Sequence, residues 1–324
     1  MAASDASPSI SDEPAQQWPM RAEPVMGTVF RVVLRAEADS ASEAALDRCF
    51  AIFHQVDDTM SEWKPESPLS DMNRHAGVAP VQLPDDLHGL LMRAVDVARR
   101  TDGAFDVTWA ALRGLWTFGD SASIPDSTDV AARAALVDWH ELLLDAGAKT
   151  GFLQRRGMAV GLGGIAKGYA LDLAAQDLRA AGYRDFLLDA GGQIYAGGRA
   201  GDRPWRVGIR DPRGGPEDWI GFLSVEDAST SSSGDYENYF FGPDGVRYHH
   251  ILDPKTGWPA RGVRSVCVLH PQATLADAFS TAIFVLGPDR GIALAEREGF
   301  DALVIDDQDR IYMTEAMRAH VTFR

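Results

Sequence analysis

Cysteine is nearly absent from this 324-residue chain: Cys49 and Cys267 stand far apart and have no metal-ligand spacing. That excludes a cysteine metal cluster and leaves buried free thiols, rather than a disulfide, as the expectation. Cations are also scarce. The chain has 31 Lys and Arg against 47 Asp and Glu, a net charge of −16. An acidic surface argues against nucleic acid or an anionic membrane as a partner and favours solubility. No apolar run reaches the ~18 residues of a membrane span, so no transmembrane segment is expected. Internal repeats are lacking, as is any long linker after residue 25. Residues 1–24, rich in Ala, Ser, Asp, Pro and Gln, are expected to form a disordered leader. They lack the basic region, apolar region and lipidation cysteine of an export signal.

What is present is enough apolar sequence, 45% of the chain, for one large domain with a sizeable core. Alternation predicts a strand over 25–34, and later strands over 186–188, 205–209, 222–225, 248–252 and 263–269. Helical spacing marks 41–60, 84–100, 130–137, 169–181, 275–286 and 289–298. Residues 302–305 and 311–313 form a closing hairpin across Asp306–Asp309. Strand and helix alternate regularly only over 158–190. That counts against a doubly wound parallel fold and favours a mixed α+β architecture. The expectation is one mixed α/β domain over 25–324, with room for two subdomains around a central cleft.

The run Gly161-Leu162-Gly163-Gly164-Ile165-Ala166-Lys167-Gly168 lies between an apolar stretch and a helical pattern. Glycines that open a helix let backbone N–H groups approach phosphate oxygens, and Lys167 adds a full charge there. This suits a phosphate-bearing cofactor. The run also satisfies a relaxed dinucleotide fingerprint, which leaves an NAD-dependent oxidoreductase open. It fails the phosphate-loop pattern, because Gly168 follows Lys167 where Ser or Thr is needed. A structural turn without a ligand is the plain alternative.

Further constellations carry possible chemistry. Asp277 and Thr281 are four residues apart on one helical face, where two oxygen donors suit Mg²⁺. A capping carboxylate and a threonine bonded to its own helix are the alternative. In Tyr248-His249-His250-Ile251-Leu252-Asp253-Pro254-Lys255-Thr256-Gly257, His250 is placed as a base or phosphate donor beside a proline-glycine turn. A paired-histidine metal site lacks further ligands nearby. The serine run Ser229 to Tyr236 reads as a flexible loop or a hydroxyl-rich turn against a polar ligand. Asp106, after Gly103-Ala104-Phe105, is a turn cap or a substrate contact. Trp63, after Met60-Ser61-Glu62, is core or a stacking platform.

In this order the segments resemble one family. They are Met26-Gly27-Thr28, Met60-Ser61-x-Trp63 with Ser67 to Asn73, and Gly103 to Thr108. Then come Leu162 to Tyr169 with Asp172, Ala190-Gly191-Gly192, and Ser232-Ser233-Gly234-Asp235-Tyr236. His250 to Gly257 and Ala276-Asp277-Ala278 with Thr281 complete the set. The chain is similar over about residues 25–320 to the FAD:protein FMN transferases, the ApbE family. The resemblance implies an α+β fold and an enzyme that splits the pyrophosphate of FAD with Mg²⁺. It would attach FMN through a phosphoester to a Thr or Ser of a flavin-bearing redox subunit and release AMP. FAD would then be a substrate, and the acceptor subunit the partner. By motif, Asp277, Thr281 and the carbonyl of Ala166 would hold Mg²⁺. Met26, Trp63, Asp106, Gly163, Gly164, Ile165, Lys167, Ser233, Gly234, His250 and Ile251 would contact FAD. His250 would serve as base, with Lys167 and Asp277 completing the catalytic set. Family members are commonly exported, which implies a periplasmic location, with the cytoplasm as alternative.

The chain departs from the family pattern at four positions. Gly161 and Gln193 stand where Asp is common, Ser232 where Thr is usual, and Trp63 where Tyr is common. The two missing carboxylates are expected to weaken metal or adenosine contacts. Water reaching the pyrophosphate first would make the protein an FAD pyrophosphatase. Loss of activity would leave a non-catalytic FAD-binding protein.

Overall fold

The structure, a computed structural model, describes residues 18–215 and 217–324. Eight strands pair antiparallel into one sheet, in the order in which they occur along the chain. They are Met20–Val25, Thr28–Leu34, Phe186–Ala190, Gln193–Gly197, Ala228–Gly234, Val263–His270, Asp301–Asp306 and Ile311–Met313. Successive strand side chains point to opposite faces, and here both faces are buried. Phe30, Val32, Leu188, Val266 and Val268 enter one core, and Val33, Leu187, Cys267 and Leu269 enter the other. This explains why the inner strands Phe186–Ala190, Val263–His270 and Asp301–Asp306 are largely apolar runs with little polar alternation.

The first core lies under the helices. Seven α-helices occur among the described residues: α1 Ser40–Met60, α2 Pro68–Arg74, α3 Asp85–Arg100, α4 Ser127–Ala134, α5 Ala166–Ala180, α6 Ala273–Leu286 and α7 Pro288–Glu298. Leu46, Phe50, Phe53 and Val56 of α1 face the sheet, as their spacing requires, and Phe53 meets Phe30 with ring centroids 4.6 Å apart. The second core lies between the sheet and a three-stranded sheet of Trp205–Arg210, Trp219–Val225 and Val321–Phe323.

One contact positions everything that follows. Helix α6 has no capping side chain of its own. Its first N–H groups are satisfied by Asp172 of α5, which accepts from Ala273 N at 2.7 Å, Thr274 N at 2.9 Å and Thr274 Oγ1 at 2.6 Å. The two helices approach so closely that a Cβ on Gly168 would lie 2.1 Å from the Ala273 carbonyl oxygen. Gly168 is the residue that permits the contact.

The mixed α+β architecture matches the sequence expectation. Several local expectations are corrected. The leader expected over 1–24 extends too far, because Met20–Val25 is the first strand; residues 1–17 lie outside the described set. The single strand expected over 25–34 is a hairpin that turns at Met26-Gly27. The polar stretch 61–77, for which no helix was expected, contains α2, begun by the Ser67 cap and Pro68. The serine run is not a flexible loop. Ala228–Gly234 is a central strand, paired on both edges. A hairpin of Leu142–Asp145 and Thr150–Leu153 was not anticipated.

Candidate active site

The glycine run forms a tight loop that enters α5. Asn73 of α2 fixes its approach: its side chain donates to Val160 O at 2.9 Å and accepts from Val160 N at 2.7 Å. Gly161 donates to Val107 O at 2.8 Å, and the Trp109 indole N–H donates to Gly161 O at 3.1 Å. The Lys167 ammonium turns back and donates to Gly163 O at 2.7 Å. Gly163 itself is exposed, with nothing within 4 Å of where a Cβ would stand. The loop therefore offers bare backbone at a helix N-terminus, beside a cation.

Helix α6 supplies the opposite charge. Asp277 is buried, and its Oδ2 accepts from the Gly168 N–H at 3.1 Å. Burial pushes its pKa up, opposed by the Lys167 charge and by the Gly168 N–H. Thr281, one turn on, faces Gly164: a Cβ there would be 3.3 Å from Thr281 Oγ1. Its hydroxyl makes only a long 3.5 Å contact with the Asp277 carbonyl. Ser280 lies on the neighbouring face, with its Oγ 3.1 Å from that of Ser231 and 2.9 Å from that of Ser233. The serine run is thus polar because its strand carries hydroxyls to α6.

These groups line a cavity of about 350 Å³, within the range of small-molecule sites. A larger surface groove near Glu66, Asp71 and Arg74 is more open and gathers none of these groups. Of the residues expected from sequence, Trp63, Asp106, Gly163, Gly164, Lys167, Ser233, Gly234, His250, Ile251, Asp277 and Thr281 line the cavity. Three do not. Met26 sits at the first hairpin turn with a left-handed φ of 50° and packs against the main core. Ile165 and Ala166 are buried at the start of α5, behind the loop. Asp106 lines the wall, but its oxygens are engaged by Thr108 N, Thr108 Oγ1 and Trp139 N, which makes it a local cap.

The two histidines part company. His249 is buried, with Nε2 2.9 Å from Ala260 O, and burial lowers its pKa to about 4. It is a core histidine. His250 projects into the cavity and is solvent-exposed there, yet protein surrounds it. Enclosure, His249 and Lys167 pull it down towards about 4. Water in the open cleft moderates that pull until a ligand displaces it. His250 is therefore a neutral imidazole at pH 7. Sequence reasoning missed Glu62, Trp109 and Glu237, which also line the wall, as does Gln193, named there only as a departure from the family pattern. Gln193 donates from Nε2 to Ala273 O at 2.9 Å, while its buried Oε1 has no partner. The only signal for these residues was adjacency to motifs.

The family model for the ApbE family matches residues 26–304. The chain belongs to the ApbE family. It is 40% identical over 309 residues to the FAD:protein FMN transferase of Treponema pallidum (strain Nichols), across 90% of this chain and 85% of that protein. It is 33% identical to one from Klebsiella pneumoniae (strain 342), across 86% and 87%. Among solved structures, the ApbE protein of Thermotoga maritima superposes with a TM-score of 0.86 at 31% identity, covering 94% of this chain and 99% of that one. The flavin transferase ApbE from Vibrio cholerae gives 0.82 at 28% identity, with the same coverage. The ApbE departures now have locations. Trp63 is an exposed ring at the cleft edge with the Arg113 guanidinium 5.0 Å above it. Ser232 lies on the sheet strand next to Ser233, and Gly161 and Gln193 lie on the cleft wall or directly behind it.

Among the described residues, no group of three or more His, Cys, Asp or Glu could hold a metal. The donor set still fits Mg²⁺. One buried carboxylate, a free-facing hydroxyl and an unpartnered amide oxygen are hard oxygen donors. Mg²⁺ is typically bound by one or two carboxylates plus substrate phosphates, not by a full protein cage.

Proposed function

We propose that this protein is a Mg²⁺-dependent flavin transferase that takes FAD, attaches FMN to a Thr or Ser hydroxyl of an acceptor redox subunit, and releases AMP. The observation that carries the reading is the convergence of three features in one cleft. They are the bare glycine loop with Lys167, the buried Asp277 held by Gly168, and the neutral imidazole of His250. Phosphoryl-type transfer asks for positioning and charge neutralisation more than covalent catalysis.

The residues take distinct parts. The loop amides and Lys167 bind and orient the pyrophosphate. Asp277 and Thr281 would hold Mg²⁺, whose charge would neutralise the pyrophosphate oxygens; the Ala166 carbonyl that the resemblance adds lies behind the loop. His250 accepts the proton of the acceptor hydroxyl as its oxygen attacks the FMN phosphorus. The bond from that phosphorus to the bridging oxygen breaks, and the bridging oxygen leaves with AMP. We propose a periplasmic location as well, on the ground that members of the family are commonly exported; cell fractionation checks it.

The test is a mass spectrum of an acceptor domain incubated with the protein, FAD and Mg²⁺, with chromatography of the small molecules alongside. One FMN gained on a Thr or Ser, with one AMP released, is the expected result. Free FMN and AMP with unmodified acceptor would replace the transferase by a hydrolase. Intact FAD would leave only a binding protein.

A further inference from the structure

The wall residue with no part in that chemistry is Glu62. It lies just past α1, after the Ser61 cap, and its backbone is held by Arg113, whose Nη1 donates to the Glu62 carbonyl at 2.6 Å. Its side chain is buried, and the backbone N–H groups of Leu162 and of Glu62 itself oppose the rise in pKa that burial causes. The carboxyl thus reaches across to the glycine loop. A Cβ on Gly161 would lie 3.0 Å from Glu62 Oε1 and 3.1 Å from both Ala110 Cβ and Trp109 Cε2. Glycine at 161 leaves the space that the Glu62 carboxyl occupies. A carboxyl from position 62 thus stands beside position 161.

The surroundings say what such a group can bind. Glu62 lines the cavity between Trp63 and Trp109. Indole faces accept flat rings. A carboxyl with two backbone donors still has acceptor sites free. Burial pushes its pKa up, with the two amides, Arg113 and Lys167 opposing. An acceptor beside aromatic faces recognises the N–H edge of a stacked heteroaromatic ring.

Resting on the flavin-transferase reading, we infer that Glu62 accepts an N–H of one ring system of FAD, either the exocyclic amino group of the adenine or the N3–H of the isoalloxazine, and so fixes which ring system of FAD lies against the Trp63–Trp109 wall. A hydrogen bond to a charged group in a closed site contributes about 10- to 100-fold in affinity.

The experiment titrates the whole protein with FAD by flavin fluorescence, then competes bound FAD with FMN or AMP. Wild type, Glu62→Ala and Glu62→Gln are compared, with a melting curve for each. FAD affinity is expected to fall about 10- to 100-fold in Glu62→Ala. The loss should appear in one competitor alone, the other staying within about twofold. FMN affected means the isoalloxazine is read; AMP affected means the adenine. Glu62→Gln keeps the shape and one acceptor oxygen, so it should show the same selectivity with a smaller loss. If Glu62→Ala does not fold, Glu62→Gln carries the comparison. Equal loss of both halves would make Glu62 a mere loop support, and no loss in either would remove it from the site. Wild type that fails to bind FAD would instead sink the flavin-transferase reading itself.

Discussion

Replacing Gly168 by alanine should unfold the protein more readily, because the new methyl group has nowhere to go. Its Cβ would stand 2.1 Å from the Ala273 carbonyl oxygen, 2.5 Å from Ala273 C and 2.8 Å from Thr274 N. All three are backbone atoms, so no side chain can swing aside. Ordinary contact is near ~3.5 Å, so α5 and α6 must part by about 1.4 Å. Overpacking of this kind costs about 1–3 kcal/mol. Parting also strains the Asp172 cap, where losing a cap costs about 1 kcal/mol, and stretches the Gly168 to Asp277 hydrogen bond, worth about 1 kcal/mol. The helix preference for Ala over Gly returns roughly 0.5–1 kcal/mol. The net loss is about 2–4 kcal/mol, a fall in Tm of roughly 3–6 °C for a chain of this size. Circular dichroism melts at pH 7 would read it. The control is Gly163→Ala, where nothing lies within 4 Å and φ is not left-handed. It should melt at or slightly above wild type but lose FAD affinity, since Gly163 lines the cleft. If Gly168→Ala melts within about 2 °C of wild type, the close approach of the two helices is not what holds the site.

Asp277→Asn should lower Mg²⁺-dependent turnover at least ~100-fold while raising Tm at neutral pH, measured by AMP release and melting. The sign follows from burial: a carboxylate with a raised native pKa opposes folding once ionised, and the amide removes that term. Retained turnover would reject the metal assignment. His250→Ala should slow transfer by roughly 100- to 10,000-fold and leave FAD affinity within a few-fold. The wild-type rate should rise with pH between about 4 and 6.5 as His250 loses its proton, then level off; a rate that falls across that window would reject His250 as base. His249 is neutral in the fold, near 4, and ordinarily titrates at 6.5. The unfolded chain therefore binds the extra proton first, and stability drains away as pH falls from 6.5 towards 4, by about 3 kcal/mol in full. His249→Gln should flatten that acid limb in urea melts taken across the range.

How far the sequence spoke depended on whether a residue announces its own geometry. The helices α1, α3, α6 and α7 were visible because their buried residues recur at helical spacing. The glycine run, Lys167, His250 and the Asp277–Thr281 pair were visible because their chemistry is local in the chain. The serine strand was not, because its burial comes from partners on both edges and from Ser280 across the cleft, none of them adjacent in sequence. Asp106 was ambiguous for the same reason: the Trp139 amide that makes it a cap lies 33 residues away. Glu62 could not be singled out, since nothing but the bare space at Gly161 shows that its carboxyl belongs to the glycine loop.

The sheet strands follow one another in chain order, yet Leu34 pairs with Phe186 while α1 to α5 lie between them in the chain. Closing so long an excursion is cheap, since each doubling of its length adds only about 0.6 kcal/mol. That excursion brings in Glu62, Trp63 and Trp109, the aromatic wall of the cleft, with Arg113 over Trp63. It ends in the glycine loop and α5, and there α5 is clasped to α6 with no slack at Gly168. The fold therefore permits the aromatic wall to be lengthened, shortened or redrawn, while the wall between α5 and α6 admits almost no revision.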